Sequence, residues 1–165
     1  NALFAGGPGL QSLQGLAAQI KPWGWHIQLL IDLIQSPRYP QQVADLGATV
    51  VVDHMGHADP TALLGSPGLS NLLSLMAEGR AWVKLSAPYR TSREAPPYAD
   101  ITKFAHALVS AAPDRLVWGT DWPHVMMEGA MPNTGIFAEL LATWVPDEAV
   151  RKRILVDNPT KLYWS

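Results

Sequence analysis

The 165-residue sequence contains no cysteine, which excludes a disulfide framework and any thiolate-held metal. Charge is scarce as well. Only 16% of residues are charged and the net charge is −2, so the chain lacks the basic footprint that binds nucleic acid or an anionic membrane surface. It has no basic segment leading into an apolar stretch, and no apolar run long enough to span a bilayer. By default the expected compartment is the cytoplasm. No G-x-G-x-x-G follows any candidate strand, which disfavours a dinucleotide-binding sheet, and no G-x-S-x-G marks a nucleophilic serine. The chain opens on Asn1 rather than Met, and this reading expects residues upstream of it.

Apolar residues are plentiful, at 48% with a mean hydropathy of +0.04, enough for one globular core. After a glycine-rich start over 1–9, Leu10 to Ile20 carries Leu10, Leu13, Leu16, Ala17 and Ile20 on one helical face. Short apolar runs at Trp25–Ile31, Thr49–Val52, Ala81–Leu85 and Leu116–Trp118 predict buried strands. Helices are predicted over 41–46, 70–78, 100–111 (with Asp100 as N-cap), 135–144 and 147–156, and a last one starts at Asn158–Pro159. Gly47 stands where a helix often ends in a left-handed cap. Strand starts near residues 26, 49, 82 and 116, each behind a helix, imply a parallel sheet, either open and doubly wound or half of a (β/α)8 barrel.

Each strand runs into a polar residue: Gln28 or Asp32, then His54, Arg90 and Asp121. Taken singly these have ordinary explanations, a helix cap for Asp121 or a solvated loop charge for Arg90. Taken together they would converge on the carboxyl-end face where parallel barrels place their chemistry. The set is chemically coherent: a carboxylate accepts a proton from water, an imidazole polarises a carbonyl or binds metal, and a guanidinium grips a carboxylate. His57, His124, Ser86 and Tyr89 stand beside these residues as candidate substrate contacts, and Trp122 as a candidate pocket wall. Trp25, Trp82, Trp118 and Trp144 read as packing, and His106 as a helix residue outside the site.

DHMG at 53–56, WVKLSAPYR at 82–90, LVWGTDWPH at 116–124 and ILVDNPTKLY at 154–163 resemble, in this order, the amidohydrolase-related TIM-barrel hydrolases. Within them they are most like the 2-pyrone-4,6-dicarboxylate lactonase group, and the similarity covers essentially the whole chain. The resemblance implies that His54 contacts the reacting carbonyl, that Arg90 binds a substrate carboxylate, and that Asp121 activates the hydrolytic water. It also implies a first barrel strand with a His-x-His pair, which these residues lack. The chain departs from the pattern at His57, where an arginine is common, and at Leu30, where an aromatic hydroxyl is common.

The expectation is therefore a single partial domain over 1–165: a parallel (β/α) half-barrel with a helical C-terminal tail, corresponding to the last four strands of a TIM-type barrel. The expected activity is opening of a small carboxylate-bearing lactone by base-assisted attack of water, with no cofactor required. One alternative is a zinc- or manganese-dependent hydrolase or decarboxylase using His54 and Asp121 as ligands. Another is a non-catalytic half-barrel or interaction module. Neither nucleic acid nor membrane is an expected partner. Open barrel edges, and an inner face lined by Val50, Val52, Val83 and Leu85 or their neighbours, invite self-association and leave the isolated chain inactive.

Overall fold

The computed structural model describes residues 9–125, 127 and 131–164. The glycine-rich start over 1–8 and residues 126 and 128–130 of the loop after His124 lie outside them. Four strands, β1 (His26–Leu29), β2 (Thr49–Val52), β3 (Ala81–Leu85) and β4 (Leu116–Trp118), form one sheet in the order β1-β2-β3-β4. Every pair is parallel, with Ile27 beside Val50, Val52 beside Val83, and Leu85 beside Trp118. Consecutive strands joined through helices are the half-barrel arrangement expected from the alternating pattern.

The helices are α1 (Leu10–Ile20), α2 (Tyr39–Ala44), α3 (Pro60–Leu63), α4 (Pro67–Ala77), α5 (Ala99–Ala111), α6 (Thr134–Trp144), α7 (Glu148–Lys152) and α8 (Asn158–Tyr163). The main core lies between one face of the sheet and the apolar stripes of α1, α4, α5 and α6. It joins Leu13, Leu72, Phe104 and Leu140 to Ile27, Val50, Val52, Val83, Leu85 and Leu116. Of the two sets expected for the inner face, Val50, Val52, Val83 and Leu85 or their neighbours, the structure places the neighbours there. Three consecutive valines carry no alternation, so the sequence could not show which side of a strand buried on both faces points inward.

The inner face carries Gln28, Val51, Trp82, Lys84 and Val117. Its apolar members form a second small cluster, covered by Leu162 of α8. The Arg115 guanidinium lies 5.0 Å above the Trp82 ring, and Tyr163 meets His26 edge-on at 5.4 Å. The C-terminal helix thus closes the amino ends of the strands. Asn158, expected as an N-cap, is buried in a helix that continues from α7 through a π-helical turn at Arg153–Asp157. Its amide donates to the carbonyls of Pro113 (2.8 Å) and Leu116 (2.7 Å), binding α8 to the start of β4.

Other boundaries moved for local reasons. α4 starts at Pro67 because Ser66 caps it, its Oγ accepting from Leu69 N, so the true start signal lay three residues before the predicted one. The short α3, capped by Asp59, was not foreseen. α5 is entered through a left-handed Tyr98, and Asp100 is not its cap; that carboxylate accepts from Ser92 Oγ and Arg93 N and ties down the preceding loop. Gly47, at φ +81, does occupy the left-handed conformation expected of it. Of the packing tryptophans, Trp82 and Trp144 are buried, whereas Trp25 is 66% exposed beside the free edge of β1. Among the described residues no helix is long and apolar enough to cross a membrane.

Candidate active site

The backbone becomes unusual where β2, β3 and β4 end. Of the seven described non-glycine residues with positive φ, six follow those ends: His54, Met55, His57, Ala87, Asp121 and His124. An L-residue held there costs roughly 1–3 kcal/mol and persists only where its surroundings over-determine it. After β2 the strain is concentrated in one turn, running from His54 at φ 47 through Gly56 at φ 86 to His57 at φ 45. Gly56 is required for space as well as for conformation, since a Cβ there would lie 2.2 Å from Leu33 Cδ1. This turn aims the His54 ring across the sheet toward the end of β4.

His54 is buried, with Nδ1 2.9 Å from Ser86 Oγ and Nε2 3.6 Å from Asp121 Oδ1, too far for a direct hydrogen bond. Asp121 is gripped through its other oxygen, Oδ2, by the Tyr89 hydroxyl and by Arg90 Nε at 2.7 Å. Arg90 also donates from Nη2 to the Val125 carbonyl at 2.8 Å, which leaves Nη1 without a partner among the described residues. Behind them His124 is 2% exposed, its ring nitrogens 3.3 Å from Tyr89 Oη and from Thr134 Oγ1, and Phe137 packs against both rings. One carboxylate oxygen is therefore saturated, while the other faces an imidazole nitrogen across a gap.

Burial lowers the pKa of His54 below its ordinary 6.5, and Arg90 and Lys84 add to this, outweighing the opposing charges of Asp53 and Asp121. The ring is neutral at pH 7. For Asp121 burial acts upward, but the hydrogen bonds from Tyr89 and Arg90, with the nearby His54 and the Arg90 charge, bring the net shift below 3.8. Tyr89 moves far upward, through burial and then through its bond to Asp121, so it stays a phenol and a donor. His57 is lowered, chiefly by burial, and its ring lies 6.2 Å from that of His54.

The predicted residues thus come together, though not all in the predicted roles. Asp121 does not cap a helix; Asn133 caps α6 instead. Ser86, Tyr89 and His124 touch other site residues rather than open space, Ser86 and His124 being buried. Asp32 folds back on Ile34 N and Gln35 N, making a turn of its own. Trp122, the predicted pocket wall, is 74% exposed.

Sequence reasoning missed the polar chain on the inner face, in which Lys84 Nζ lies 2.9 Å from Asp53 Oδ1 and Gln28 Nε2 donates to Asp53 Oδ2 at 2.7 Å. The signal was present: Lys84 is the single charge in the apolar strand AWVKL, at an alternate position. Two donors, His54 Nε2 and Asp121 Oδ1, face one another, fewer than the three protein ligands of a catalytic zinc centre, and Arg90 already balances the same carboxylate. Among the described residues no group of three or more His, Cys, Asp or Glu is placed to hold a metal, so these side chains by themselves do not fit one.

Comparison with known proteins places the chain in company. A family model described as amidohydrolase matches residues 1–164. A 2-pyrone-4,6-dicarboxylate hydrolase of Comamonas testosteroni is 35% identical over 161 residues, covering 92% of this chain and 53% of that protein. A 4-sulfomuconolactone hydrolase of Hydrogenophaga intermedia is 41% identical over 125 residues, covering 74% of this chain and 41% of that protein. An apo crystal structure of an Agrobacterium tumefaciens protein superposes with a TM-score of 0.80 at 31% identity, over 94% of this chain and 56% of that one. The chain spans about half the length of the curated relatives it matches.

Proposed function

Because the chain belongs to the amidohydrolase family, we propose that its strand ends form one side of a lactone hydrolase site, with a small carboxylate-bearing lactone as substrate. Two of its relatives are lactone-opening hydrolases by name, one of a pyrone dicarboxylate and one of a sulfomuconolactone. The observation that carries the reading is the 3.6 Å gap between a neutral His54 Nε2 and the uncommitted oxygen of an ionised Asp121.

In this reading water attacks the ring carbonyl carbon and yields a proton to Asp121 Oδ1. The carbonyl oxygen takes the negative charge and accepts a hydrogen bond from His54 Nε2–H. The ring C–O bond then breaks, and the proton returns from Asp121 to the departing oxygen. The Ser86 hydroxyl, by donating to Nδ1, leaves the His54 proton on Nε2 where the oxyanion needs it. Tyr89 and Arg90 keep Asp121 ionised at the expense of its basicity, and the preorganised donor adds an interaction worth about 3 kcal/mol in comparable sites. No metal enters the scheme. Arg90 Nη1 is the group left for a substrate carboxylate.

Half of a barrel offers half of a site, and the reading assigns the remaining substrate contacts, a His-x-His pair among them, to a complementary half-barrel. The test is to purify the chain and assay it with 2-pyrone-4,6-dicarboxylate, alone and mixed with the separately produced amino-terminal half of a relative. Turnover only on mixing is expected. Turnover by the chain alone at the rate of a full-length relative would overturn the half-site reading, and no turnover in either case would overturn the lactonase reading.

A further inference from the structure

The function just proposed leaves one buried group unused. Asp53 immediately precedes His54, is itself buried, and carries its carboxylate on the inner face of the sheet. Its Oδ1 lies 3.8 Å from His54 Nδ1, just beyond a hydrogen bond, while Ser86 Oγ occupies the same ring nitrogen at 2.9 Å. Two groups thus compete for one nitrogen with opposite results. If Asp53 took Nδ1, the carboxylate, which can only accept, would draw the single proton of the neutral ring to Nδ1 and leave Nε2 bare. If Ser86 holds Nδ1, its hydroxyl can donate there and the proton sits on Nε2.

We propose that Lys84 decides this competition, holding Asp53 away from His54 so that the imidazole keeps its proton on Nε2, toward Asp121 and the substrate. The geometry is specific. Lys84 Nζ lies 2.9 Å from Oδ1, the oxygen nearest the ring, as an ion pair without a hydrogen bond, while Gln28 Nε2 donates to Oδ2 from the strand on the other side at 2.7 Å. Asp53 is held from both neighbouring strands and cannot swing to the imidazole without giving up its ion pair and leaving a largely buried charge unpaired. The Lys84 stem passes Gly119, just beyond β4, where a Cβ would stand at ordinary contact distance, 3.9 Å, from Cδ. Lys84 is in this sense a positioning residue: it acts on the reaction only through which nitrogen of His54 bears hydrogen. The proposal rests on the role given above to His54 as oxyanion donor, but its geometric content does not.

Two readouts test it. The first needs no substrate: 15N NMR of histidine-labelled chain at pH 7.5 reports the His54 tautomer directly. The wild-type chain and Lys84→Arg are expected to show the proton on Nε2, and Lys84→Met to show it on Nδ1. The second is turnover of the chain complemented by an amino-terminal half. Lys84→Met should lower kcat about 100-fold with little change in KM, as removal of an oxyanion donor does. Adding Asp53→Asn removes the competing carboxylate, so the double variant should recover at least tenfold of that loss, whereas a merely structural pair would leave it as impaired as the single variant. The double variant also spares the fold an unpaired buried charge, should Lys84→Met alone be unstable. An unchanged tautomer in Lys84→Met relative to wild type, or a double variant no faster than the single one, overturns the proposal. Absent turnover in the complemented wild type would overturn the lactonase reading alone, and the tautomer measurement would still decide the role of Lys84.

Discussion

The two ends of the same four strands are built on different terms. At the carboxyl ends six non-glycine residues take left-handed conformations, and two bonded groups, His54 with Ser86 and Asp121 with Tyr89 and Arg90, face one another across a 3.6 Å gap. At the amino ends the chain is ordinary: α8 lays Leu162 over Val51, Trp82 and Val117, and Asn158 secures β4 through two carbonyls. The first end holds strain and paired charge, which cost stability. The second supplies apolar closure and satisfied backbone groups. A barrel that separates the two can vary its chemistry without losing its fold.

The sharpest way to break the comparison is at Asp121. Replacing it by Asn conserves volume and a partner for Tyr89 but removes the proton acceptor, so turnover of the complemented enzyme should fall by about 10²–10⁴-fold while circular dichroism stays unchanged. Undiminished turnover in a folded variant would remove Asp121 from the mechanism. The pH dependence sharpens the same point. The folded pKa of Asp121 lies below 3.8, so its contribution to stability is present above that value and is lost as pH falls through the folded pKa. His54 also lies below its ordinary 6.5, so the acid limb of kcat/KM should fall on the acid side of 6.5. A limb centred above pH 7 would contradict a neutral buried imidazole.

The sequence was more legible at the amino ends and in the strands than at the site. Thr49–Val52, Ala81–Leu85 and Leu116–Trp118 were found at their observed limits because short, mainly β-branched and apolar runs between turn formers have few other uses. The parallel order followed from the alternation of helices and strands. His54, Arg90 and Asp121 could be picked out because polar residues at strand ends are few, yet their mutual arrangement could not. That Arg90 Nε lies on Asp121 depends on the left-handed Ala87 and Asp121, and no local propensity announces such residues, since the surroundings impose them. Lys84 was passed over for a related reason: strand periodicity says that alternate residues share a face but not which face is the interior.

A middle-sized effect is expected where strain and packing meet. Gly56→Ala puts a methyl into Leu33 and an L-side chain at φ 86, so it should destabilise the fold by about 1–3 kcal/mol in urea titration. Because the His54 turn must shift to relieve the clash, turnover of the folded fraction should fall roughly tenfold as well, for a displacement near 1 Å can cost more than that. A variant that loses stability alone would show that the turn is rigid independently of its glycine, and would weaken the link drawn here between strained backbone and site geometry.

The smallest effect on turnover belongs to the other end. Asn158→Ala deletes two hydrogen bonds to buried carbonyls of the β4 entrance, which should cost about 1–3 kcal/mol of stability, since an acceptor left unsatisfied in the interior pays its full desolvation. The site lies at the opposite ends of the strands, and β4 remains paired with β3 through Leu116 and Val117, so nothing that aims His54 or Asp121 need move. The expected result is a lower midpoint in thermal or urea unfolding with kcat within twofold of wild type, read on the complemented enzyme at a temperature where both proteins are fully folded. If kcat fell in step with stability, the α8 clamp would be transmitting to the carboxyl ends through β4, and the division between the two ends of the half-barrel would fail at the strand that carries its base.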